Sequence, residues 1–255
     1  MTSPAVPHSF ELPARPDAPA DLVAWRSVGV ARGYGYKNDW IDPDLTGLLF
    51  AEGENVVATD VVDALHSSAP FLAGSLTATY VAAGATVTTS FIALPLSRSM
   101  PSVVLVNARR GALRQANIGM GSRQMLSLQG SFDRTFTLYC PMGHADVALD
   151  IFTPELMQMF LDTIPGCDAE LVDDWLFVYG SAGRFTSPDS LDRIERLATR
   201  VHDEIVRRNF DSLRDSSVVP VSLSSRIPRV FQFSAILAVT TVAAAALAWL
   251  ATSGR

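Results

Sequence analysis

The sequence contains little lysine, little cysteine and none of the short motifs that mark common enzyme families. Lys37 is the only lysine, and the chain carries a net charge of −6. A nucleic-acid-binding protein needs a basic face to neutralise phosphates, so this charge argues against one. The two cysteines, Cys140 and Cys167, could form at most one bridge, which excludes a fold held together by several disulfides.

The first twenty residues also lack the basic segment and the following apolar segment of a secretory signal peptide. Four prolines among residues 1–16, with little apolar periodicity, predict a disordered arm instead. We therefore expect the bulk of the protein to stay in the compartment where it is made. In that compartment both cysteines are expected to be reduced thiols.

The longest apolar run lies over residues 230–252, with the sequence VFQFSAILAVTTVAAAALAWLAT. No charged residue occurs between Arg229 and Arg255. A bilayer core about 30 Å thick requires roughly 20 apolar residues in a helix, so the run predicts one transmembrane helix. A buried core helix is the alternative, but such helices seldom extend so far without a charge. Trp249 lies near one boundary of the run, where aromatic residues collect in membrane helices.

The charges beside this run predict its direction. Arg226 and Arg229 precede it, whereas Arg255 alone follows, so the positive-inside rule places the preceding domain in the cytoplasm. Residues 212–229 are rich in serine and proline, which predicts a linker. We therefore expect a tail-anchored, single-pass protein of the bacterial inner membrane, with a cytoplasmic domain over residues 17–211.

This domain is expected to have an α+β fold, with a mostly antiparallel sheet and helices packed on it. Between residues 61 and 139 the apolar pattern has the two-residue period of strands, interrupted by turns. Residues 76–81 and 86–96 predict a β-hairpin about Ala83-Gly84. Successive short strands with turns between them favour antiparallel pairing over β-α-β units.

Three helix starts are predicted from capping residues. Asp17-x-Pro19 predicts the first helix, which should end at Gly33. Thr153-Pro154-Glu155 combines a threonine cap, a proline at the first position and an acid in the first turn. Ser187-Pro188-Asp189 repeats this pattern before a stripe of apolar residues with a 3.6-residue period. The sequence therefore predicts helices on both sides of the strand region.

Two other segments are expected to be irregular or to turn back on themselves. Residues 37–47 contain Asp42-Pro43 and predict a loop. Residues 170–172 and 175–179 are predicted to pair as a hairpin about Asp173-Asp174.

Several stretches resemble a family of uncharacterised bacterial membrane-associated proteins, in which a domain of unknown function accompanies membrane helices. The resemblance covers about residues 25–200, and it implies an anchored domain without catalytic residues. The stretches that carry it are Ala31-Arg32-Gly33-Tyr34, residues 72–76 (LAGSL), residues 91–101 (FIALPLSRSMP) with 103–106, Phe132-Asp133-Arg134-x-Phe136, Ala145 to Thr153-Pro154, and residues 175–179 (WLFVY).

The segment Cys140-Pro-Met-Gly-His144-Ala-Asp146 is the sharpest candidate for a catalytic site, since it lies between a predicted strand and a predicted helix. A thiol at a helix N-terminus could have a lowered pKa and act as a nucleophile, with His144 as its base. In the structural alternative, Cys140 is a small buried residue and the other two are polar residues of a first helical turn. We favour this alternative, because the spacing matches no established catalytic pair.

No metal or cofactor site is predicted. The four histidines are far apart, and no Cys-x-x-Cys or His-x-x-x-His pair occurs. A zinc site built from Cys140, His144 and a distant ligand stays open. Residues 118–124 (IGMGSRQ) are rich in glycine but lack the lysine of a phosphate-binding loop, so they predict a flexible loop between strands. Rossmann, Gly-x-Ser-x-Gly, kinase and His-Glu-x-x-His motifs are also missing.

Positive charge gathers where Arg109, Arg110, Arg114 and Arg123 follow one another in the sequence. One interpretation is a contact with anionic headgroups or with an acidic partner. The other is a solvated loop, which we favour because it requires no ligand.

Together these observations predict a membrane-tethered domain for protein interaction or scaffolding, with a protein partner that the sequence does not identify. A membrane-tethered enzyme with a site at Cys140 and His144 is the alternative. A subunit of a larger membrane complex is a third hypothesis, because the small and polar residues of the run at 230–252 suit helix packing.

Overall fold

An antiparallel sheet with helices on both faces forms the part of the chain that the structure, a computed structural model, describes. Described are residues 19–109, 111–121, 123–128 and 130–207, with side chains up to residue 204. The strands are β1 (Gly35–Ile41), β2 (Glu54–Asp63), β3 (Leu72–Tyr80), β4 (Ala85–Asn107), β5 (Arg123–Leu126), β6 (Phe136–Pro141) and β7 (Asp168–Ser181). The helices are α1 (Ala20–Ala31), α2 (Leu48–Ala51), α3 (Ala112–Gln115), α4 (Phe132–Thr135), α5 (Ala145–Ile151), α6 (Pro154–Thr163) and α7 (Ser190–Arg207).

The strands follow the order β1-β2-β3-β4-β6-β5, and β7 pairs with β4. Every pairing is antiparallel. The α+β fold with an antiparallel sheet, expected from the short strands and their turns, is therefore confirmed.

A long ribbon of β4 and β7 holds the two halves of the sheet together. The first part of β4 lies between β3 and β7, whereas its last part pairs with β6 and β7. Pro95 lies opposite Trp175, and Val103 lies opposite Leu171. From the first of these pairs to the second, β4 advances by eight residues and β7 by only four. The extra residues of β4 form an irregularity that bends the ribbon.

Each face of the sheet carries its own apolar cluster. On the first face, α1 and α4 to α7 cover the sheet, and the α7 stripe is buried there as its 3.6-residue period predicts. Trp25 of α1 is fully buried, and its indole N–H donates to the carbonyl of Asp60 at 2.9 Å. On the second face the helical cover consists of α2 and α3, each of four residues. The second face therefore has much the thinner helical layer.

Most of the predicted helix starts and turns agree with the structure. The first helix ends at Ala31, followed by Gly33 at a φ of 80°. Gly84 has a φ of 59° in the turn between β3 and β4, which confirms the predicted hairpin. The hydroxyl of Thr153 accepts the Leu156 N–H at the start of α6.

Two local predictions are wrong. Residues 37–41, expected in a loop, belong to β1, which pairs with β2 and lies at the margin of the sheet. Its polar residues are tolerated there because a marginal strand is only partly covered. The expected hairpin about Asp173-Asp174 is a single strand, β7, which pairs with β4 on both sides of Asp173, and the chain does not reverse although Asp173 has a φ of 52°.

The expected arm at residues 1–16, the linker at 212–229 and the transmembrane run at 230–252 all lie outside the described residues. Among the residues that are described, no helix has the length and apolar character needed to cross a membrane.

Candidate functional site

Cys140 lies in β6 on the first face of the sheet and is completely buried in the apolar cluster. Burial raises the pKa of its thiol, and a hydrogen bond with the Gln124 side chain only partly opposes that effect. A nucleophilic cysteine needs the opposite environment, an accessible thiolate with a lowered pKa. Cys167 is also fully buried, and burial raises its pKa to about 11.

His144 precedes α5 and has its own local contact. Its Nδ1 lies 3.2 Å from the carbonyl oxygen of Met142, two residues earlier. Asp146 occupies the exposed first turn of the same helix. The thiol thus faces the core, whereas the histidine belongs to the turn after the strand.

Glu170 is the most unusual acid in the described residues. It lies in the middle of the second face and is only 2% exposed. Its Oε1 accepts hydrogen bonds from the Leu48 main-chain N–H at 2.6 Å and from the Tyr179 hydroxyl at 2.5 Å. Burial raises the pKa of Glu170 to about 7, against the lowering effect of these two hydrogen bonds and of the Arg123 charge.

Asp168 plays a parallel role two residues earlier in β7, on the same face. Its two carboxylate oxygens accept the main-chain N–H groups of Asn107 at 2.7 Å and Leu113 at 2.8 Å. Burial raises its pKa, while these hydrogen bonds and a third from Ala112 lower it. A Cβ atom on Gly111 would collide with this carboxylate, so the close approach requires glycine.

The two acids hold the two short helices of the second face. Leu48 is the first residue of α2, and Ala112 is the first residue of α3. Each carboxylate therefore satisfies main-chain N–H groups that a helix start leaves without partners. A one-turn helix has little stability of its own, so these contacts fix its position on the sheet. The arrangement stabilises the second face and leaves both acids without access to a substrate.

Two arginines of the predicted basic region lie over the same face. Arg114 lowers the pKa of Asp168, and Arg123 lowers that of Glu170, which places both positive charges near the buried acids. Arg123 Nη2 also donates to Ser102 Oγ at 3.3 Å. Arg109 is exposed beyond the end of β4, and Arg110 is outside the described residues. The structure therefore brings Arg114 and Arg123 to one face of the sheet.

An apolar surface surrounds Arg123 at the end of the sheet. Met125 is 68% exposed and pairs with Tyr139, and Met142 is 65% exposed just after Pro141, which pairs with Arg123. Ile118, Met120 and Tyr139 are half-buried against the cluster of the second face. We call the part of this surface on the second face the β5 surface, and it comprises Ile118, Met120, Arg123, Met125 and Tyr139.

Residues 118–121 follow α3, whereas Arg123 and Gln124 of the predicted loop already belong to β5. Gly121 has a φ of 52°, and the Arg123 N–H donates to the Met120 carbonyl at 3.0 Å. The segment therefore turns the chain from α3 into β5 and presents apolar side chains. In the described ranges, no group of three or more His, Cys, Asp or Glu side chains is arranged to hold a metal ion.

Sequence reasoning missed Asp168 and Glu170. The signal was the Asp-x-Glu pattern within the apolar stretch DAELV, because residues two apart in a strand share a face. Two acids on one face of a buried strand need partners. Gly47 and Gly111, each before a short apolar segment, were the available pointers to those partners.

Comparisons with known proteins complete the description of the chain. The crystal structure of the mycobacterial trehalose monomycolate transport factor A, TtfA, is similar, with 14% sequence identity and a TM-score of 0.49. The match covers 74% of this chain and 96% of that chain. No family model matches the sequence, and no curated protein matches it. The resemblance to membrane-associated proteins of unknown function therefore stays a prediction.

Proposed function

We propose that this chain is a membrane-tethered domain for protein interaction, without catalytic activity of its own. The observation that carries the proposal is the β5 surface, where Met125 is about two-thirds exposed and shares a face with Arg123 two residues earlier. Methionine is flexible and polarisable and is common at surfaces that bind other proteins. Exposed apolar side chains gathered in one place are characteristic of interaction sites.

The placement of the polar groups supports the same proposal. Asp168 and Glu170 have the raised pKa values typical of catalytic acids, but both are buried and bonded to helix starts. Cys140 is buried as well. The alternative of an enzyme built on Cys140 and His144 has no accessible thiolate to support it.

The tether is the part of the proposal that rests on sequence alone. The uncharged run at 230–252, the linker at 212–229 and the arginines before the run support a membrane-spanning helix, with the preceding domain on the cytoplasmic side. A tether raises the local concentration of a domain at the membrane, which favours binding to a membrane-associated partner.

The test is purification of the full-length chain in mild detergent after crosslinking in the cells that express it. We expect a protein complex of fixed stoichiometry, because for an interaction domain the bound partner is the function. Purified full-length chain that hydrolysed esters, phosphates or peptides, with activity lost in Cys140→Ala but retained in Cys167→Ala, would contradict the proposal.

A further inference from the structure

The main chain of β5 is open on the side away from β6. The Arg123 N–H donates to Met120, and Pro141 opposite has no N–H, so these two residues form a non-hydrogen-bonded pair. Hydrogen-bonded and non-hydrogen-bonded pairs alternate in antiparallel strands. Met125 and Tyr139 are therefore also a non-hydrogen-bonded pair, and the N–H and C=O of Met125 point outward. Within the described residues, β5 pairs with no strand other than β6.

The other two marginal strands carry features that discourage pairing. β1 presents Lys37, which forms an ion pair with Asp63 at 2.5 Å, and also Asp39. β7 carries the exposed Asp174 beside Asp173, whose φ is 52°, and both lie opposite the bulged part of β4. Charges and bulges of this kind protect sheet margins from pairing with another chain. The centre of β5 carries the exposed Met125 in their place.

Charge is distributed unevenly along the chain, and the β5 surface lies in its basic part. Residues 64–132 contain no aspartate and no glutamate, although the whole chain has a net charge of −6. The same stretch contains five arginines, which are Arg98, Arg109, Arg110, Arg114 and Arg123. With the described residues, neither Arg114 nor Arg123 forms an ion pair. Their charges are therefore available to an acidic ligand.

We propose that the β5 surface binds an extended, acidic and partly apolar segment of a protein partner. The segment pairs through its main chain with Met125, places apolar side chains on Met125 and Tyr139, and brings a carboxylate to Arg123. This assignment rests on the proposed interaction function and names the chemistry of the partner. Strand addition at an open margin obtains affinity from the main chain and specificity from neighbouring side chains.

Alternation sets the sequence that such a segment should have. Arg123 and Met125 are two residues apart in β5, so both side chains lie on the same face. An added antiparallel strand must therefore carry an acid and an apolar residue two positions apart. Because Met125 is the central open position of a four-residue strand, side-chain contacts must supply most of the affinity.

A library of random twelve-residue peptides displayed on phage is the probe for this site. The full-length chain is immobilised in detergent micelles and used for selection. We expect enrichment of peptides with an acid and an apolar residue at positions i and i+2. Affinity for the synthesised best peptide should fall at least tenfold in Arg123→Glu. It should change less than twofold in Arg200→Glu, an exposed arginine of α7 on the opposite face.

Thiol labelling then locates the peptide. Cys140 and Cys167 are the only cysteines and are both buried, so Met125→Cys introduces a thiol that reacts quickly with maleimide. The peptide should slow this labelling at least fivefold. Ile41→Cys is the matched control, because Ile41 is 73% exposed in β1 at the opposite end of the strand order. Its labelling should not change.

Three outcomes would overturn the assignment. They are a failure to enrich acidic peptides, equal protection of Ile41→Cys, and protection of Met125→Cys by vesicles containing phosphatidylserine but not by peptide. A crosslinked partner of fixed stoichiometry that leaves Met125→Cys unprotected would overturn this site and still sustain the interaction function. Turnover of a substrate by the full-length chain would instead contradict the function itself.

Discussion

The main-chain N–H of Leu48 donates to the carboxylate of Glu170 at 2.6 Å across 122 positions of sequence. This hydrogen bond attaches the start of α2 to the centre of β7. Glu170 is almost completely shielded from water, and this burial, which the bond only partly opposes, raises the pKa of Glu170 and makes the stability of the domain depend on pH.

Raising the pH from 5 to 8 is expected to destabilise the domain. Burial raises the pKa of Glu170 from 4.5 to about 7, so the folded state holds this proton more tightly than the unfolded chain does. The contribution of protonated Glu170 to the free energy of unfolding is fully present below pH 4.5 and is lost as the pH rises through about 7. The shift corresponds to a loss on the order of 3 kcal/mol in the free energy of unfolding. Urea unfolding of the full-length chain, followed by tryptophan fluorescence, measures it.

Glu170→Gln keeps the shape of the side chain but cannot ionise, so most of the pH dependence should disappear in this variant. Glu54→Gln, at an exposed position of β2, should retain it. If Glu170→Gln lost as much stability as the wild-type chain between pH 5 and 8, the assignment to Glu170 would be wrong.

Gly111→Ala should destabilise the second face. Its Cβ would collide with the carboxylate of Asp168, which holds the start of α3. We expect a loss of about 1–3 kcal/mol, the range for overpacked sites. Gly119→Ala is the matched control, because the nearest atom to its Cβ would be the Gly121 nitrogen at 4.0 Å. Chemical denaturation of both variants makes the comparison, and equal stabilities would show that the close approach is not needed.

Both native thiols should be slow to react in the folded protein. Cys140 and Cys167 are completely buried, and burial raises the pKa of each. A disulfide reagent at pH 7 should therefore modify them only as the chain unfolds, and both should react at once in denaturant. Rapid modification of Cys140 in the native chain, with partner binding lost in Cys140→Ala but not in Cys167→Ala, would revive a reactive role for this residue.

The sequence was sufficient for those elements that local signals specify. Thr153 with Pro154 marked α6, Gly84 marked the turn between β3 and β4, and the apolar stripe after Ser187 marked α7. Capping and turn formation involve residues close in sequence, so their chemistry is visible without the fold.

Elements defined by distant contacts were harder to predict. β1 has the polar sequence GYKNDWI and becomes a strand because β2 supplies its partner. Asp173-Asp174 resembled a turn, but β7 pairs with β4 on both sides of these residues, so the strand continues. The extra residues at this irregularity lie in β4. The same limit applies to the second face. No residue near Glu170 in the sequence indicates that Leu48 is its hydrogen-bond partner.

The β5 surface shows why a binding site is hard to predict from the sequence alone. The arginines were visible in the sequence, but Arg123 acquires its setting from Pro141 and Tyr139 on the neighbouring strand. An exposed methionine cannot be distinguished from a buried one by local pattern alone. The hypothesis of an acidic partner therefore needed the pairing of β5 and β6 before it could be stated for particular residues.

We propose that residues 230–252 tether this interaction domain to a membrane, and extraction of membranes at pH 11 distinguishes an integral protein from a peripheral one. Replacing Leu237 and Ala244 together by arginine places two charges within the run, each costing about 2.5–3.5 kcal/mol at a helix centre. The wild-type chain and the control Ser224→Arg, in the linker, should stay in the membrane pellet, and the double variant should be released. Release of the wild-type chain, or retention of all three, would contradict the tail anchor.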